Sequence, residues 1–140
     1  MVRPVALYGS ECRPSIKSDA QALHVMEMKM LRWSLGFTRL DKKENTEIRS
    51  RYGVAPITDK IAEGRLRYFG HIKRQSDTSV ANTALTMAVP GKRPRGRPKQ
   101  SWMNNIVKDL QAVGLTPDDA LNRGKWKRGI KQADPGTGRD

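Results

Sequence analysis

An excess of positive charge constrains this chain more than any other feature of its sequence. Its 140 residues include 27 Lys and Arg against 14 Asp and Glu, which leaves a formal charge of +13. A surplus of that size on a small domain favours a polyanionic partner. An anionic membrane would require a basic helix with a broad apolar face or a lipidation signal, and the sequence has neither. We therefore expect DNA or RNA as the partner.

The apolar content predicts a small and thinly packed fold. Hydrophobic residues make up 36% of the chain, which is slightly lean for a globular core. Helical spacing predicts a mainly α fold of about five helices, with a short N-terminal strand stump and a basic Pro/Gly linker. We expect a truncated N-terminal segment at 1–17, a helical region at 18–75, a linker at 76–100, a C-terminal helical pair at 101–132 and a disordered tail at 133–140.

The first half of the chain holds the strand stump and two helices. The apolar run at 5–8 predicts a strand without a neighbouring partner, so we expect the chain to begin inside something larger. A capping-box pattern puts Ser18 at the start of the first helix. Asn45 is the expected cap of a short helix that ends at Gly53. The first helix carries apolar residues at three- and four-residue spacing, interpreted as packing: Leu23, Met26, Met30, Trp33 and Phe37.

A third helix, predicted over 58–74 with Thr58 as its N-cap, has one basic side. On a helical projection this side contains Lys60, Arg67, His71 and Arg74, with Glu63 at its margin. Two interpretations stay open. The side is either a solvated surface or a surface that lies along a phosphate backbone.

Local signals are clearest near the C-terminus. Ser101 predicts the cap of a helix that ends at Gly114. Thr116, with Pro117 and Asp119 behind it, predicts the start of one further helix that continues past Gly124 and Gly129. The stretch at 80–89 is weakly apolar and of uncertain type.

The segment 90–99 is the sharpest motif of the chain. Five of the eight residues at 92–99 are basic, and its prolines and glycine exclude regular structure. Its core, 94–99, resembles an AT-hook, in which arginines enter the minor groove of A/T-rich DNA and a glycine allows close approach. Nonspecific phosphate contact and a plain linker are the alternatives. The candidate binding residues are Lys92, Arg93, Arg95, Gly96, Arg97 and Lys99.

No catalytic, metal or cofactor site is expected in this chain. Cys12 is the single cysteine and His24 and His71 the two histidines, so neither a disulfide nor a cysteine-rich zinc site can form. The one adjacent acidic pair, at 118–119, suits helix capping rather than two-metal chemistry. We expect no cofactor and no small-molecule substrate. Without a signal peptide or transmembrane run, the expected location is the nucleus.

Several blocks, in this order, resemble the C-terminal region of endonuclease–reverse transcriptases from non-LTR (LINE-type) retrotransposons, closest to the RTE-like group. The blocks are 3–12 (RPVALYGSEC), 24–33 (HVMEMKMLRW), 53–57 (GVAPI), 65–72 (RLRYFGHI), 90–102 (PGKRPRGRPKQSW) and 114–121 (GLTPDDAL), followed by Lys125 and Trp126. The parent family is an RNA-directed DNA polymerase with an endonuclease, and no position here matches its catalytic residues. The resemblance implies a role in holding template RNA or target DNA.

Three positions depart from the family pattern. Arg13 stands where family members typically have tryptophan, and Gly124 and Gly129 replace better helix formers. A decayed genomic copy is therefore one interpretation of the gene. The alternative functions are a host chromatin-associated adaptor with an AT-hook-like segment and a non-functional expressed relic.

Overall fold

The computed structural model describes residues 2–88, 90–92, 95–98 and 100–131. This part of the chain is mainly helical and contains no β-strand, so the predicted fold class is confirmed. Two short 3-10 helices, Arg39–Asp41 and Pro117–Leu121, lie between the α-helices. The α-helices are α1 (Val2–Leu7), α2 (Lys17–Ser34), α3 (Asn45–Tyr52), α4 (Ile57–Lys73), α5 (Val80–Thr86), α6 (Trp102–Val113) and α7 (Arg123–Ile130).

The predicted N-terminal strand is wrong, because residues 2–7 form helix α1. A lone strand has no partner for its backbone groups, whereas a helix satisfies them within the segment. Arg3 fixes the helix to α2, since its Nη2 lies 2.5 Å from Glu27 Oε1. Pro4 lies in the first turn, where its missing N–H has no helical acceptor to lose.

The apolar row predicted along α2 is only partly correct. The helix buries Glu27 and Met28 instead, while Met30 is 40% and Trp33 is 80% exposed. The expected N-cap is also wrong, because the helix begins at Lys17 after Ile16 and no side chain caps it. The orientation of α2 follows from the partners of Glu27 on other helices.

Glu27 joins the first four helices through a buried carboxylate. Its oxygens accept from Arg3 and lie 3.4 Å from Arg49 Nη2 on α3, and the Ile57 N–H at the start of α4 donates to Oε2 at 3.4 Å. Arg3 also donates to the Ala55 carbonyl. A buried charge of this kind is stable only when it is paired and hydrogen-bonded.

Two predicted helix starts shift, by one residue for α3 and by two for α4. Helix α3 begins at Asn45 itself, after Glu44, and α4 begins at Ile57 after Pro56, so neither Asn45 nor Thr58 is a cap. The predicted stop at Gly53 is confirmed, with φ at 59°.

Helix α4 is the centre of the packing and contacts α2, α6 and α7. The main hydrophobic cluster combines α4 with the C-terminal elements, so segments 18–75 and 101–132 share one core. The N-terminal residues pack here too, since Trp102 Nε1 donates to the Glu11 carbonyl at 2.8 Å. The buried members of the cluster are Leu66, Phe69, Ile106, Leu110, Ala120, Trp126 and Ile130.

The C-terminal caps follow the predictions closely. Ser101 Oγ accepts from the Asn104 N–H at 3.3 Å, and Gly114 ends α6 with φ at 68°. Thr116 and Asp119 form the expected capping box.

The predicted single helix after Thr116 is interrupted. A 3-10 helix spans Pro117–Leu121, and Asn122 then caps α7 by accepting from the Lys125 N–H at 3.0 Å.

The predicted linker at 76–100 contains a helix, α5, which Ser79 caps by accepting from the Asn82 N–H. The described residues of 90–98 have no regular structure, as expected. The predicted tail at 133–140 lies outside the described residues. Within the described part, no helix has the length and apolar character needed to cross a membrane.

Candidate nucleic-acid interface

The basic linker presents its arginines around one glycine. Arg95, Gly96 and Arg97 are all exposed, and Gly96 has φ at 129°, a conformation that side-chain-bearing residues rarely adopt. An added Cβ on Gly96 would meet no atom of the described residues within 4 Å, so they leave the space beside the backbone open. Lys92 is exposed as well. Arg93 and Lys99 lie outside the described residues.

The C-terminal end of the linker is fixed to α6. Gln100 donates its side-chain N–H to Asn105 Oδ1, and the buried Asn105 donates to the Ser15 carbonyl at 3.2 Å. Arg97 and Lys108 line the same shallow groove between the linker and α6. Lys108 was not predicted from the sequence, because its proximity to Arg97 depends on how the linker turns back onto the helix.

The basic side of α4 is partly neutralised by one carboxylate. Glu63 is 8% exposed, and its two oxygens lie 3.1 Å from Lys60 Nζ and 2.5 Å from Arg67 Nη2. Arg74 Nη1 donates to the Ala120 carbonyl at 2.7 Å, which fixes α4 to the following 3-10 helix. His71 and Arg67 are the exposed members of the predicted row. Glu63 therefore lies among the cations rather than at the margin of a uniformly basic surface.

A hollow beside this row also contains groups that are not cationic. The hollow is lined by three members of the row, Lys60, Arg67 and His71, and also by Glu11 and Tyr68. Burial raises the pKa of Tyr68, and nearby Cys12 and Glu11 raise it further. The mixed charge makes this hollow a weaker candidate for phosphate contact than the linker. None of the described hydrogen bonds or ion pairs links the residues that line this hollow to Arg95 or Arg97.

Sequence reasoning also missed a buried arginine. Arg65 on α4 is 6% exposed and binds Asp109 of α6 in a bidentate pair, at 2.8 Å from Nε to Oδ2 and 3.1 Å from Nη2 to Oδ1. Its Nη1 also donates to Ser15 Oγ at 2.5 Å. The helical projection placed Arg65 on neither the apolar nor the basic side, and Asp109 lies 44 positions away.

Among the described residues, exposed Lys and Arg are most numerous along α7 and the residue after it. This segment was not among the predicted sites. Arg123, Lys127, Arg128 and Lys131 are exposed, whereas Trp126 and Ile130 are buried. A signal was available in the sequence, because 123–131 contains five basic residues and no acidic one.

Within the described residues, no group of three or more His, Cys, Asp and Glu side chains is gathered as a metal site would require. Comparisons with protein-family models, with curated proteins and with solved structures found no match for this chain.

Proposed function

We propose that this chain is a nucleic-acid-binding fragment from the C-terminal region of a LINE-type reverse transcriptase. It holds template RNA or target DNA in the nucleus, and it contributes no catalytic residue and needs no cofactor. The observation that carries the proposal is the exposed Arg95–Gly96–Arg97 segment with its open backbone.

The geometry of Gly96 suits contact with the minor groove. A narrow A·T groove has a strong negative potential and lacks the guanine amino group, so arginines and an extended backbone can enter it. A side chain on Gly96 would occupy the open space beside the backbone, and it would strain a φ of 129°. Pro98 restricts the backbone next to Arg97 and lowers the entropy lost on binding.

Contacts between the blocks that carry the family resemblance support treating them as one folded unit. Trp102 donates to the Glu11 carbonyl, and Trp126 Nε1 donates to the Leu66 carbonyl at 3.1 Å. Each bond joins two blocks that are distant in the sequence.

A salt titration tests nucleic-acid binding itself. We expect affinity for duplex DNA or structured RNA to fall steeply with salt, with a log–log slope of several units, because bound cations release counterions from the phosphates. A flat slope, or no binding at about 50 mM salt, would reject the proposal.

The contribution of the linker is tested with the double variant Arg95→Ala, Arg97→Ala. Under minor-groove binding, the variant loses its preference for A/T-rich over G/C-rich duplexes. Under nonspecific phosphate contact, it loses affinity equally for both. The matched control is Lys17→Ala, Lys29→Ala, which removes two exposed charges from α2 and leaves the preference intact. Equal binding by both double variants would exclude the linker as the contact.

A second candidate, a chromatin-associated adaptor, is favoured by the exposed apolar side chains of α2. Trp33 is 80% exposed and lies between two hollows on either side of the helix, and large exposed aromatics are typical of protein-binding surfaces. Trp33→Ala should then weaken binding to nucleosomes and leave binding to free DNA of the same sequence unchanged. Equal effects on both substrates, or no effect on either, would reject the adaptor.

A further inference from the structure

Helix α7 carries a cluster of cations that the fold itself does not use. The name α7 cationic face is used here for three exposed side chains of the helix, Arg123, Lys127 and Arg128, together with Lys131, which directly follows the helix. The described residues contain no ion pair or hydrogen bond from any of them. Lys125 differs, because its Nζ lies 2.6 Å from Asp119 Oδ1.

Two features of this arrangement oppose the stability of the helix, whereas Lys127 and Arg128 lie in its last turn, where the dipole favours cations. Arg123 and Lys127 are four residues apart on the helix, and like charges at that spacing repel. Arg123 also lies at the helix N-terminus, where the helix dipole disfavours a cation, and the first turn has no acidic residue. Around α3, by contrast, an acidic residue lies between two cations, since Glu47 Oε1 lies 3.4 Å from Lys43 Nζ and 3.1 Å from Arg51 Nη2.

The apolar residues of α7 are fixed firmly in the core. Trp126 is 2% and Ile130 is 4% exposed, and the Trp126 ring packs against Phe69 with centroids 6.1 Å apart. The indole N–H donates to the Leu66 carbonyl. The helix backbone therefore has a set orientation, so little backbone entropy is lost when the α7 cationic face meets a ligand.

We propose that the α7 cationic face binds the phosphate backbone of a nucleic-acid duplex, as a second contact beside the linker. The inference rests on the proposed function, because it assigns another surface to the same ligand. The distance from Arg123 to Lys131 along the helix axis is about 12 Å. One strand of a duplex presents a phosphate about every 3.4 Å of its axis, so several phosphates lie within reach.

The residues of α7 favour a duplex over the other polyanions. Single-strand binding uses exposed aromatic side chains on which bases stack, and the one aromatic residue of α7, Trp126, is buried. A membrane-surface helix inserts an exposed apolar side, and both large apolar residues of α7 are in the core. DNA and RNA duplexes share the phosphate chemistry, so both are used as probes.

The test compares salt slopes for three full-length variants on DNA and RNA duplexes of one sequence. The variant Arg123→Gln, Lys127→Gln, Arg128→Gln should flatten the log–log slope by about 2 to 3 units on at least one duplex, since each phosphate contact contributes about 0.9. The control Lys17→Gln, Lys29→Gln, Arg39→Gln removes the same charge from exposed positions and should change the slope less. Arg123→Lys, Arg128→Lys retains the charge and should keep the wild-type slope.

Far-ultraviolet circular dichroism and thermal unfolding establish that each variant is folded before its binding is measured. An α7 variant that matches the Lys17, Lys29 and Arg39 control on both duplexes would overturn the inference and leave the linker proposal standing. The same variants are also measured on a single-stranded probe of that sequence, and an effect confined to that probe would overturn the inference as well. If the Arg95 and Arg97 variant binds like wild type while the α7 variant does not, the linker proposal fails and this inference holds.

Discussion

Helices α4 and α7 both pack an apolar side into the same core, and both carry many cations. The cations of the two helices differ in whether they have partners within the fold. On α4, Arg65 binds Asp109, Arg67 binds Glu63, and Arg74 donates to the Ala120 carbonyl. On α7, the described side-chain contacts pair one cation, Lys125, and leave Arg123, Lys127 and Arg128 without a described partner. A count of charges along a helix therefore does not separate the arginines that hold the fold from those available to a ligand. The two groups are separated by where their hydrogen-bond and ion-pair partners lie in the folded chain.

The largest difference is expected from one arginine on each helix. Arg65→Ala should destabilise the protein by about 3 to 5 kcal/mol, because it leaves Asp109 as a partly buried charge without its partner. Arg128→Ala, on the exposed side of α7, should change stability by less than about 0.5 kcal/mol. Urea unfolding followed by circular dichroism measures both. Similar losses for the two variants would mean that α7 uses its cations as α4 does.

The same distinction separates what could be predicted from the sequence from what could not. Caps depend on residues a few positions apart, and those at Ser101, Gly114 and Thr116 with Asp119 are confirmed. Burial of Arg65 depends on Asp109, 44 positions away, and no local pattern contains that information.

Long-range pairing also explains the errors in the first half of the chain. Arg3 binds Glu27 across 24 positions, which stabilises residues 2–7 as a helix and turns α2 so that Glu27 faces inward. Apolar spacing alone placed Met30 and Trp33 in the core, and the structure exposes both. Helical periodicity identified the element and misplaced its buried side.

The interface between the two helices has a tight point at Gly70. A Cβ there would overlap Trp126 Nε1 and lie 2.8 Å from Trp126 Cδ1. Gly70→Ala should therefore destabilise by about 1 to 3 kcal/mol through overpacking and displace α7. The matched control on α4 is Gly64→Ala, where a Cβ meets nothing within 4 Å. It should stabilise by up to about 1 kcal/mol through helix propensity. Thermal unfolding of both variants checks the signs, and a stabilised Gly70 variant would contradict the close packing.

The start of α7 depends on one side chain that α4 does not need. Asn122→Ala removes the acceptor for the Lys125 N–H and should cost about 1 kcal/mol. Asn122→Asp keeps an acceptor at the cap and adds a negative charge near the helix N-terminus, so it should retain or increase stability. Urea unfolding of the two variants shows whether the loss of stability comes from the missing hydrogen-bond acceptor at residue 122. Equal losses would show that hydrogen bonding at this position does not set the start of α7.

The smallest expected effect concerns Asp119, the carboxylate that pairs with a cation of α7. Hydrogen bonds from the Lys125 side chain, the Thr116 N–H and the Thr116 hydroxyl lower the pKa of Asp119 from 3.8 to about 2. Because the folded state binds the proton more weakly than the unfolded state, the carboxylate stabilises the fold above about pH 4. That contribution is lost as the pH falls toward 2.

Asp119→Asn should therefore lower the urea midpoint slightly at pH 7 and match wild type near pH 2. The control Asp118→Asn removes the same charge from an exposed neighbour whose side chain makes no described hydrogen bond. A difference between Asp119→Asn and wild type that stays constant from pH 5 to pH 2 would show that Asp119 does not act through its charge. Lys125 would then be grouped with the α7 cationic face, as a cation that does not stabilise the fold through an ion pair.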